Sequence, residues 1–333
     1  MDKTVGYKRV ALITGITGMD GSHLAELLLA KDYTVFGLHR RSSTDNTWRI
    51  KSILKDIELI SGDLTDQSSL DKAIRATSPD EVYNLAAQSY VGHSWSTPEL
   101  TMNINTLGVL RLLEAIRSFG KKDTKVFQAS SSEMFGKVQE TPQVETTPFY
   151  PRSPYGVSKC AAHWICKNYR ESYNMFIACG ISFNHTSHRR GLEFVERKIS
   201  YNVAKIKMGL TDYIELGNLD AKRDWSWAPE FCEMFWEMLQ LGAPDDFVLA
   251  SGETHTVREY LQETFKCIGI TDYDKYYYPN PKFMRPAEVD LLLGNYEKAF
   301  NILNFKPKLK FHDIVCIMVN SDLERLERGD NFE

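Results

Sequence analysis

The sequence predicts an α/β protein: a doubly wound parallel sheet followed by a smaller, mixed α/β C-terminal domain. Three observations predict it. Apolar runs alternate with amphipathic stretches over residues 8–130, the pattern of repeated βαβ units. A glycine-rich turn joins the first apolar run to the first amphipathic stretch. After residue 180 the alternation loosens into strand-like pieces, polar loops and the aromatic run Tyr276-Tyr277-Tyr278-Pro279. At 333 residues the chain is about twice the usual domain size. Its 43% hydrophobic and 25% charged residues exclude a disordered or fibrous chain. Lys plus Arg total 40 against 44 Asp plus Glu, and the net charge of −4 gives no basic excess for nucleic acid. No apolar stretch approaches the ~20 residues that cross a bilayer. The opening Met1-Asp2-Lys3-Thr4 begins no apolar signal segment, so no membrane association and a cytoplasmic setting are expected.

Taken in order, residues 9–13 read as a buried strand, and Leu24, Leu27 and Leu28 mark one face of the helix that follows. Further strands are expected at 33–38, 57–60, 81–85 and 125–128. Between the last two, Leu110, Leu112, Leu113 and Ile116 recur at helical spacing. A boundary near 180 divides the chain into 1–180 and 181–333, with some later segments returning to the first domain. The six cysteines, Cys160, Cys166, Cys179, Cys232, Cys267 and Cys316, are scattered without a CxxC, which reads as reduced structural thiols with no metal-like pairing. The histidines likewise offer no ligand cluster, and no metal is expected. Asn184-His185-Thr186 matches a glycosylation acceptor, read here as chance.

The turn Gly15-Ile16-Thr17-Gly18-Met19-Asp20-Gly21 lies between the first strand and the first helix. Glycines there let the backbone turn tightly and approach a pyrophosphate, whose charge the helix N-terminus stabilises. The first domain is therefore expected to be Rossmann-like and to hold a dinucleotide. At the end of the second strand, where an acidic residue would bind the ribose hydroxyls of NAD, stands His39-Arg40-Arg41-Ser42-Ser43. Two guanidinium groups beside two hydroxyls suit a 2′-phosphate, so NADP is the expected cofactor; the bland alternative is a solvated basic turn. Asp63 and Leu64 are placed near the adenine, and Leu85-Ala86-Ala87-Gln88-Ser89 beneath the cofactor.

Tyr155 and Lys159 stand four residues apart, on one helix face. A neighbouring cation lowers a phenol's pKa and makes it a usable base for a sugar hydroxyl. The spacing is common by chance: Tyr201 with Lys205 and Tyr278 with Lys282 repeat it, the latter in a proline-rich loop. Context separates the first pair, which follows a strand ending in Ser130-Ser131-Ser132-Glu133, where a parallel sheet places its active site. Ser131 can bond a substrate oxygen and Glu133 can move a second proton. The bland readings are a serine turn and a surface charge.

Together these motifs resemble the extended short-chain dehydrogenase/reductases that modify nucleotide sugars, and among them the GDP-mannose 4,6-dehydratase family. The similar stretches run nearly the whole chain, from Leu12-Ile13-Thr14-Gly15-Ile16-Thr17-Gly18 and Arg40-Arg41-Ser42-Ser43, through Ser132-Glu133-Met134-Phe135-Gly136 and Pro151-Arg152-Ser153-Pro154-Tyr155, to Gly217-Asn218-Leu219-Asp220-Ala221-Lys222-Arg223-Asp224-Trp225 and Arg285-Pro286-Ala287-Glu288-Val289-Asp290. The resemblance implies an NADP-binding Rossmann domain over 1–180 and a mainly nucleotide-sugar-binding domain over 181–333. It implies NADP contacts from Gly15, Ile16, Thr17, Gly18, Met19, Asp20, Arg40, Asp63, Leu64, Leu85, Ala86, Ala87, Gln88, Ser89, Tyr155, Lys159, His185 and Arg190. Ser131, Glu133, Tyr155 and Lys159 would be catalytic, with Ser131 where the family usually has threonine. Asn184, Lys198, Arg223, Arg285 and Glu288 would hold the GDP-sugar. The implied reaction oxidises C4 transiently, eliminates water across C5–C6 and returns hydride to C6. A homo-oligomer, tetramer or dimer, is implied too, with residues 41–49 near a neighbouring subunit's cofactor. The chain departs from the family at Met19, Trp95, Trp227 and 186–191, read as bordering the sugar pocket; a related GDP-sugar such as GDP-manno-heptose, or a reductase or epimerase reaction, stays open.

Overall fold

A computed structural model describes residues 8–329; Met1-Asp2-Lys3-Thr4 and the ends of both expected domains lie outside the described residues. The first half alternates as expected: β1 (Val10–Thr14), α1 (Met19–Ala30), β2 (Thr34–His39), β3 (Glu58–Ser61), α2 (Gln67–Thr77), β4 (Glu81–Asn84), a short α3 (Pro98–Met102), α4 (Gly108–Phe119), β5 (Lys125–Ser131), α5 (Pro154–Tyr173) and β6 (Phe176–Ser182). Strand β5 continues past the expected end at 128 and so delivers Ser131 at its tip. Helix α5 starts where the sequence provides a start: Pro154 occupies the first turn, and the Ser153 hydroxyl accepts the Gly156 amide.

Seven strands form one sheet in the order β11-β6-β5-β4-β1-β2-β3, where β11 is Asp246–Leu249, and each neighbouring pair is parallel. Successive strand residues face opposite layers. Ala11, Ile13, Tyr83, Phe127 and Ala178 pack in one core with α1, and Leu12, Val82, Val126 and Ile177 pack in the other with α2, α4 and α5. Both faces are covered, which is why the strands read as unbroken apolar runs. The chain winds outward from β1 to β3, then resumes beside β1 with β4 and winds the other way. The crevice outside the ends of β1 and β4 is this sheet's switch point, where α/β proteins bind ligands.

Beyond β6 the chain divides its elements between two cores. It runs through β7 (Asn184–Thr186), α6 (Val195–Lys207), β8 (Ile214–Leu216), β9 (Lys222–Arg223), β10 (Trp225–Trp227) and α7 (Ala228–Gln240) to β11, then β12 (His255–Thr256), α8 (Val257–Cys267), β13 (Tyr277–Pro279), α9 (Glu297–Leu303) and α10 (Phe311–Glu327). Helices α7 and α9 and strand β11 join the first sheet core through Phe231, Phe235, Phe247 and Ala299. Helices α6, α8 and α10 enclose a separate core around Trp225, Tyr260, Phe265 and Val315.

The cysteine reading requires correction. Cys267 and Cys316 form a disulfide across 49 residues of sequence, while Cys160, Cys166, Cys179 and Cys232 are free. Linear spacing hid the pair because α8 and α10 meet only through packing. The absence of ligand clusters is corrected for the same reason: Cys267, His312 and Cys316 gather in one place, and His163, Cys179 and Asp246 in another.

Candidate active site

The turn from β1 into α1 borders the cleft, which it lines through Asp20. Gly15 has φ +72°, and a Cβ there would meet the Ala86 N and Cα at 2.9 Å. Only glycine lets these two turns approach so closely. Gly18 caps the start of helix α1 without a side-chain hydrogen bond, which leaves the first amides without a side-chain acceptor, as at helix starts that bind anions. Thr14 locks the facing loop: its hydroxyl donates to Asn84 at 2.6 Å and accepts the Leu85 and Ala86 amides at 3.2 and 3.1 Å.

The expected dinucleotide residues divide into three groups. Asp20, Leu85, Ala87, Ser89, Tyr155, Lys159, His185 and Arg190 line one cleft of about 500 Å³. Arg40 and Asp63 line a second, shallower hollow with Arg41, Ser61, Gly62, Asp66 and Ser69 beyond β2 and β3. Gly15, Ile16, Thr17, Gly18, Met19, Leu64, Ala86 and Gln88 line neither. Ile16 and Leu64 point into the cores, and Gln88 turns away, its amides donating to Asn105 and Thr101. Asp63 caps its own loop by accepting the Thr65 amide at 2.8 Å.

His185 joins the two halves of the cleft. Its Nε2 lies 3.0 Å from the Asp20 carboxylate and its Nδ1 2.8 Å from the Phe183 carbonyl. Burial pushes the Asp20 carboxyl up, but His185 and Arg190 more than offset this and hold it below its ordinary value. Asp20 Oδ1 and Arg190 Nε are buried without hydrogen-bond partners among the described residues. Those two polar atoms, the glycine approach and the uncapped helix start together fit a bound dinucleotide.

The catalytic candidates converge at the tip of β5. Ser131, Glu133, Tyr155 and Lys159 are all less than a tenth exposed and line the same cleft. Ser131 lines the cleft beside Tyr155, and its hydroxyl accepts the Glu133 amide at 3.2 Å. The expected effect of Lys159 is not seen. Burial pushes the Tyr155 phenol up to about 12, with the Ser131 hydroxyl opposing it. Lys159, pushed down to about 8 by burial, donates to the Ala129 carbonyl at 2.9 Å and sits 5.9 Å from the Tyr155 ring centre. Four-residue spacing puts the two on one helix face, but β5 takes the ammonium's hydrogen bond. The two rival pairs lie elsewhere: Tyr201 with Lys205 on α6, and Tyr278, exposed, in β13.

The opposite wall comes from the C-terminal segments. Arg285 lies 3.3 Å from Glu133 and 3.7 Å from Glu288, and Arg223 lies 3.1 Å from Glu288 while donating to the Val289 carbonyl at 2.6 Å. Asn184 and Lys198 line the same cleft; burial pushes the Lys198 ammonium down to about 8, and it lies 3.1 Å over the Phe283 ring. Sequence reasoning missed Tyr90, Glu193 and Phe283, which also line the cleft. Tyr90 follows directly on the loop residue Ser89, a signal that was available; the other two have none outside the fold. Within the departing segment 186–191, Arg190 lines the cleft while its neighbours anchor the segment. Arg189 bridges to Glu26 at 2.7 Å, and His188 packs edge-on against His23 and tilted against Trp227, fastening this segment to α1. Of Met19, Trp95 and Trp227, only Trp95 lines the cleft.

A family model described as GDP-mannose 4,6 dehydratase matches residues 12–318. The chain is 48% identical to GDP-mannose 4,6 dehydratase of Homo sapiens, over 97% of this chain and 94% of that protein. It is 45% identical to GDP-mannose 4,6-dehydratase of Vibrio cholerae, over 96% and 95% respectively. Among solved structures, the UDP-glucose 4-epimerase of Thermus thermophilus in complex with NAD superposes with a TM-score of 0.83 at 26% identity, covering 97% of this chain and 100% of that one. The dTDP-glucose 4,6-dehydratase DesIV of Streptomyces venezuelae, with a TM-score of 0.84 at 22% identity over 96% and 98%, shares the fold.

Proposed function

The chain belongs to the GDP-mannose 4,6-dehydratase family, and from that premise we propose that it converts GDP-D-mannose to GDP-4-keto-6-deoxy-D-mannose. The observation that carries this reading is the meeting of Ser131, Glu133 and Tyr155 in one cleft with Arg223, Arg285 and Glu288 facing them. We assign nicotinamide-cofactor binding to 1–180, with His185 and Arg190 reaching in from beyond it, and GDP-sugar binding mainly to 181–333. NADP is the cofactor we propose, because Arg40 and Arg41 stand side by side where the ribose end of the cofactor would lie. When bound, it supplies the hydride acceptance and return that make the net reaction redox-neutral.

The residues divide the proton work. Tyr155, with the Ser131 hydroxyl beside it, removes the proton of the C4 hydroxyl, and its phenol must titrate lower than burial alone allows. Tyr155 and Lys159 would flank the nicotinamide end of the cofactor, and a positive charge held there would lower the phenol. Glu133 takes the C5 proton that the neighbouring ketone has acidified and helps the C6 hydroxyl leave as water. Arg285, paired with the same carboxylate, holds it toward the sugar. Asn184, Lys198, Arg223 and Glu288 bind the nucleotide sugar.

Self-association as a dimer or tetramer is part of the proposal. Leu100, Leu107, Val157 and Trp164, on α3, α4's approach and α5, are exposed apolar residues suited to a second copy. No membrane partner is proposed, and among the described residues no helix is long and apolar enough to cross one. The proposed setting is cytoplasmic; four thiols are free, and a reducing compartment would act to open the Cys267–Cys316 disulfide. The test incubates the protein with NADP and, separately, GDP-mannose, GDP-manno-heptose and dTDP-glucose, following mass. Loss of one water from GDP-mannose supports the proposal. Loss only from the heptose reassigns the sugar, and an unchanged mass or net NADPH consumption points to an epimerase or reductase.

A further inference from the structure

Helices α8 and α10 each carry two metal-binding residue types four positions apart: Glu263 and Cys267 on one, His312 and Cys316 on the other. A four-residue step places both members of a pair on one helix face, one turn apart. The helices pack with these faces together, so the Cys267 and Cys316 Cα atoms lie 5.4 Å apart and their sulfurs are bonded. One sulfur, the other and a His312 ring nitrogen all fall within 4.8 Å of one another. His312 Nε2 is the nearer nitrogen to the Cys316 sulfur, at 3.6 Å against 4.0 Å for Nδ1. The Nδ1 side is held by the Glu263 carboxylate. That hydrogen bond puts a proton on Nδ1 and leaves Nε2 as the ring nitrogen for a metal; it lies beside the Cys316 sulfur, and a turn of the ring would aim its lone pair at an ion held between them. A histidine oriented by a carboxylate in this way is the usual supporting arrangement of a metal-binding imidazole.

We propose that Cys267, Cys316 and His312 form a site for a zinc-class divalent ion when the two cysteines are reduced, with Glu263 orienting the histidine. Two thiolates and an imidazole are the donor set such ions prefer, and a solvent molecule would complete the tetrahedron. Bond lengths of about 2.0–2.3 Å set ligand atoms roughly 3.5 Å apart, a separation the side chains reach by modest rotation once the sulfurs part. In the disulfide form both sulfur ligands are withdrawn, so the pair alternates between a covalent and a metal-held link joining α8 to α10. Opening the disulfide takes two electrons. With a water-soluble phosphine, the phosphorus is oxidised to phosphine oxide using one water, and each sulfur leaves as a thiol. The second cluster, His163 with Cys179 and Asp246, has no such capacity: it is buried, Ser130 lies 2.9 Å from its histidine, and Arg170 and Lys167 already pair with its carboxylate.

The experiment titrates the full-length protein with Co²⁺, then Zn²⁺, after anaerobic phosphine reduction and a thiol count that verifies all six cysteines are free. One equivalent of cobalt with thiolate-to-metal charge-transfer absorption, displaced by zinc, is expected. The oxidised protein should show no such band. Cys267→Ser should abolish it, and His312→Ala, a change at an exposed residue that spares the fold, should weaken binding at least tenfold. Glu263→Gln should weaken it by the roughly 10–100-fold typical of losing a supporting partner. Cobalt binding of equal tightness in the oxidised protein or in His312→Ala overturns the proposal. So does a fully reduced, folded protein without the band. If the disulfide cannot be opened without loss of near-ultraviolet circular dichroism, the proposed form does not exist and the idea falls.

Discussion

The two walls of the cleft are built on different physical terms. On the sheet wall, Ser131, Tyr155 and Lys159 come from one strand tip and the helix after it, and burial dominates their chemistry. It drives the phenol up to about 12 and the ammonium down to about 8, each toward its neutral form. On the C-terminal wall, Arg223, Arg285 and Glu288 are linked by ion pairs that reach across to Glu133. The contrast teaches what separates them. Arg223 is buried as deeply, and burial pushes its guanidinium down, whereas beside Arg285 the carboxylates of Glu133 and Glu288 outweigh burial and raise it; the walls differ in countercharge, not in exclusion of solvent.

Glu133 belongs to both walls, so changing it gives the sharpest test. Glu133→Gln should slow formation of the 6-deoxy product by the ~10²–10⁴-fold typical of losing a general acid–base group. Solvent deuterium entry at C5 should fall with it, while absorbance still reports reduced cofactor forming. Product at the wild-type rate would remove Glu133 from the mechanism. Arg285→Ala, on the C-terminal wall alone, should lower kcat/KM by about 10–100-fold, from one or two charge-assisted hydrogen bonds of roughly 1.5–3 kcal/mol. A loss confined to cofactor affinity would show the two walls have been wrongly divided.

The shallower hollow extends the comparison to the cofactor's far end. Changing Arg40 and Arg41 together to alanine should weaken NADP binding by about 10–100-fold and leave NAD nearly unchanged, measured by fluorescence titration. Equal losses for both cofactors would mean the pair serves only as a basic turn. The smallest effect is on stability. Lys159 has its folded pKa near 8, below the ordinary 10.5, so between those values the unfolded chain holds more protons and stability rises with pH. Its penalty is full below pH 8 and gone above about 10.5. Lys159→Met should therefore stabilise the cofactor-free protein by about 1–2 kcal/mol at pH 7, after loss of the Ala129 hydrogen bond, and the gain should shrink as pH rises. A gain independent of pH would show packing, not charge, as its source.

The sheet and the strand edge that lines the cleft were legible because their signals are local. The apolar runs of β1, β4 and β5, the glycine turn and the Tyr155–Lys159 step each lie within a few residues, and short-range geometry dictates what they form. Even there the strand ends shifted, and the tip of β5 matters because three further residues carry Ser131 into the cleft. The resemblance to a family supplied Arg223, Arg285 and Glu288; no local pattern marks them.

The sequence by itself determined the alternating elements of the first half, where the glycine turn sits, and which helix presents a tyrosine and a lysine to one side. Only the tertiary structure decided their partners. Lys159 answers to the Ala129 carbonyl rather than to Tyr155. Glu133 meets Arg285 across 152 positions. His188 and Arg189 fasten their segment onto α1 instead of lining the sugar pocket. Cys267 and Cys316 stand together although 49 residues separate them. The physical reason is common to all four. Hydrogen-bond periodicity along a chain is set by neighbours, whereas the environment of a charged or sulfur-bearing side chain is set by whatever packing brings against it, and packing is decided by the whole chain at once.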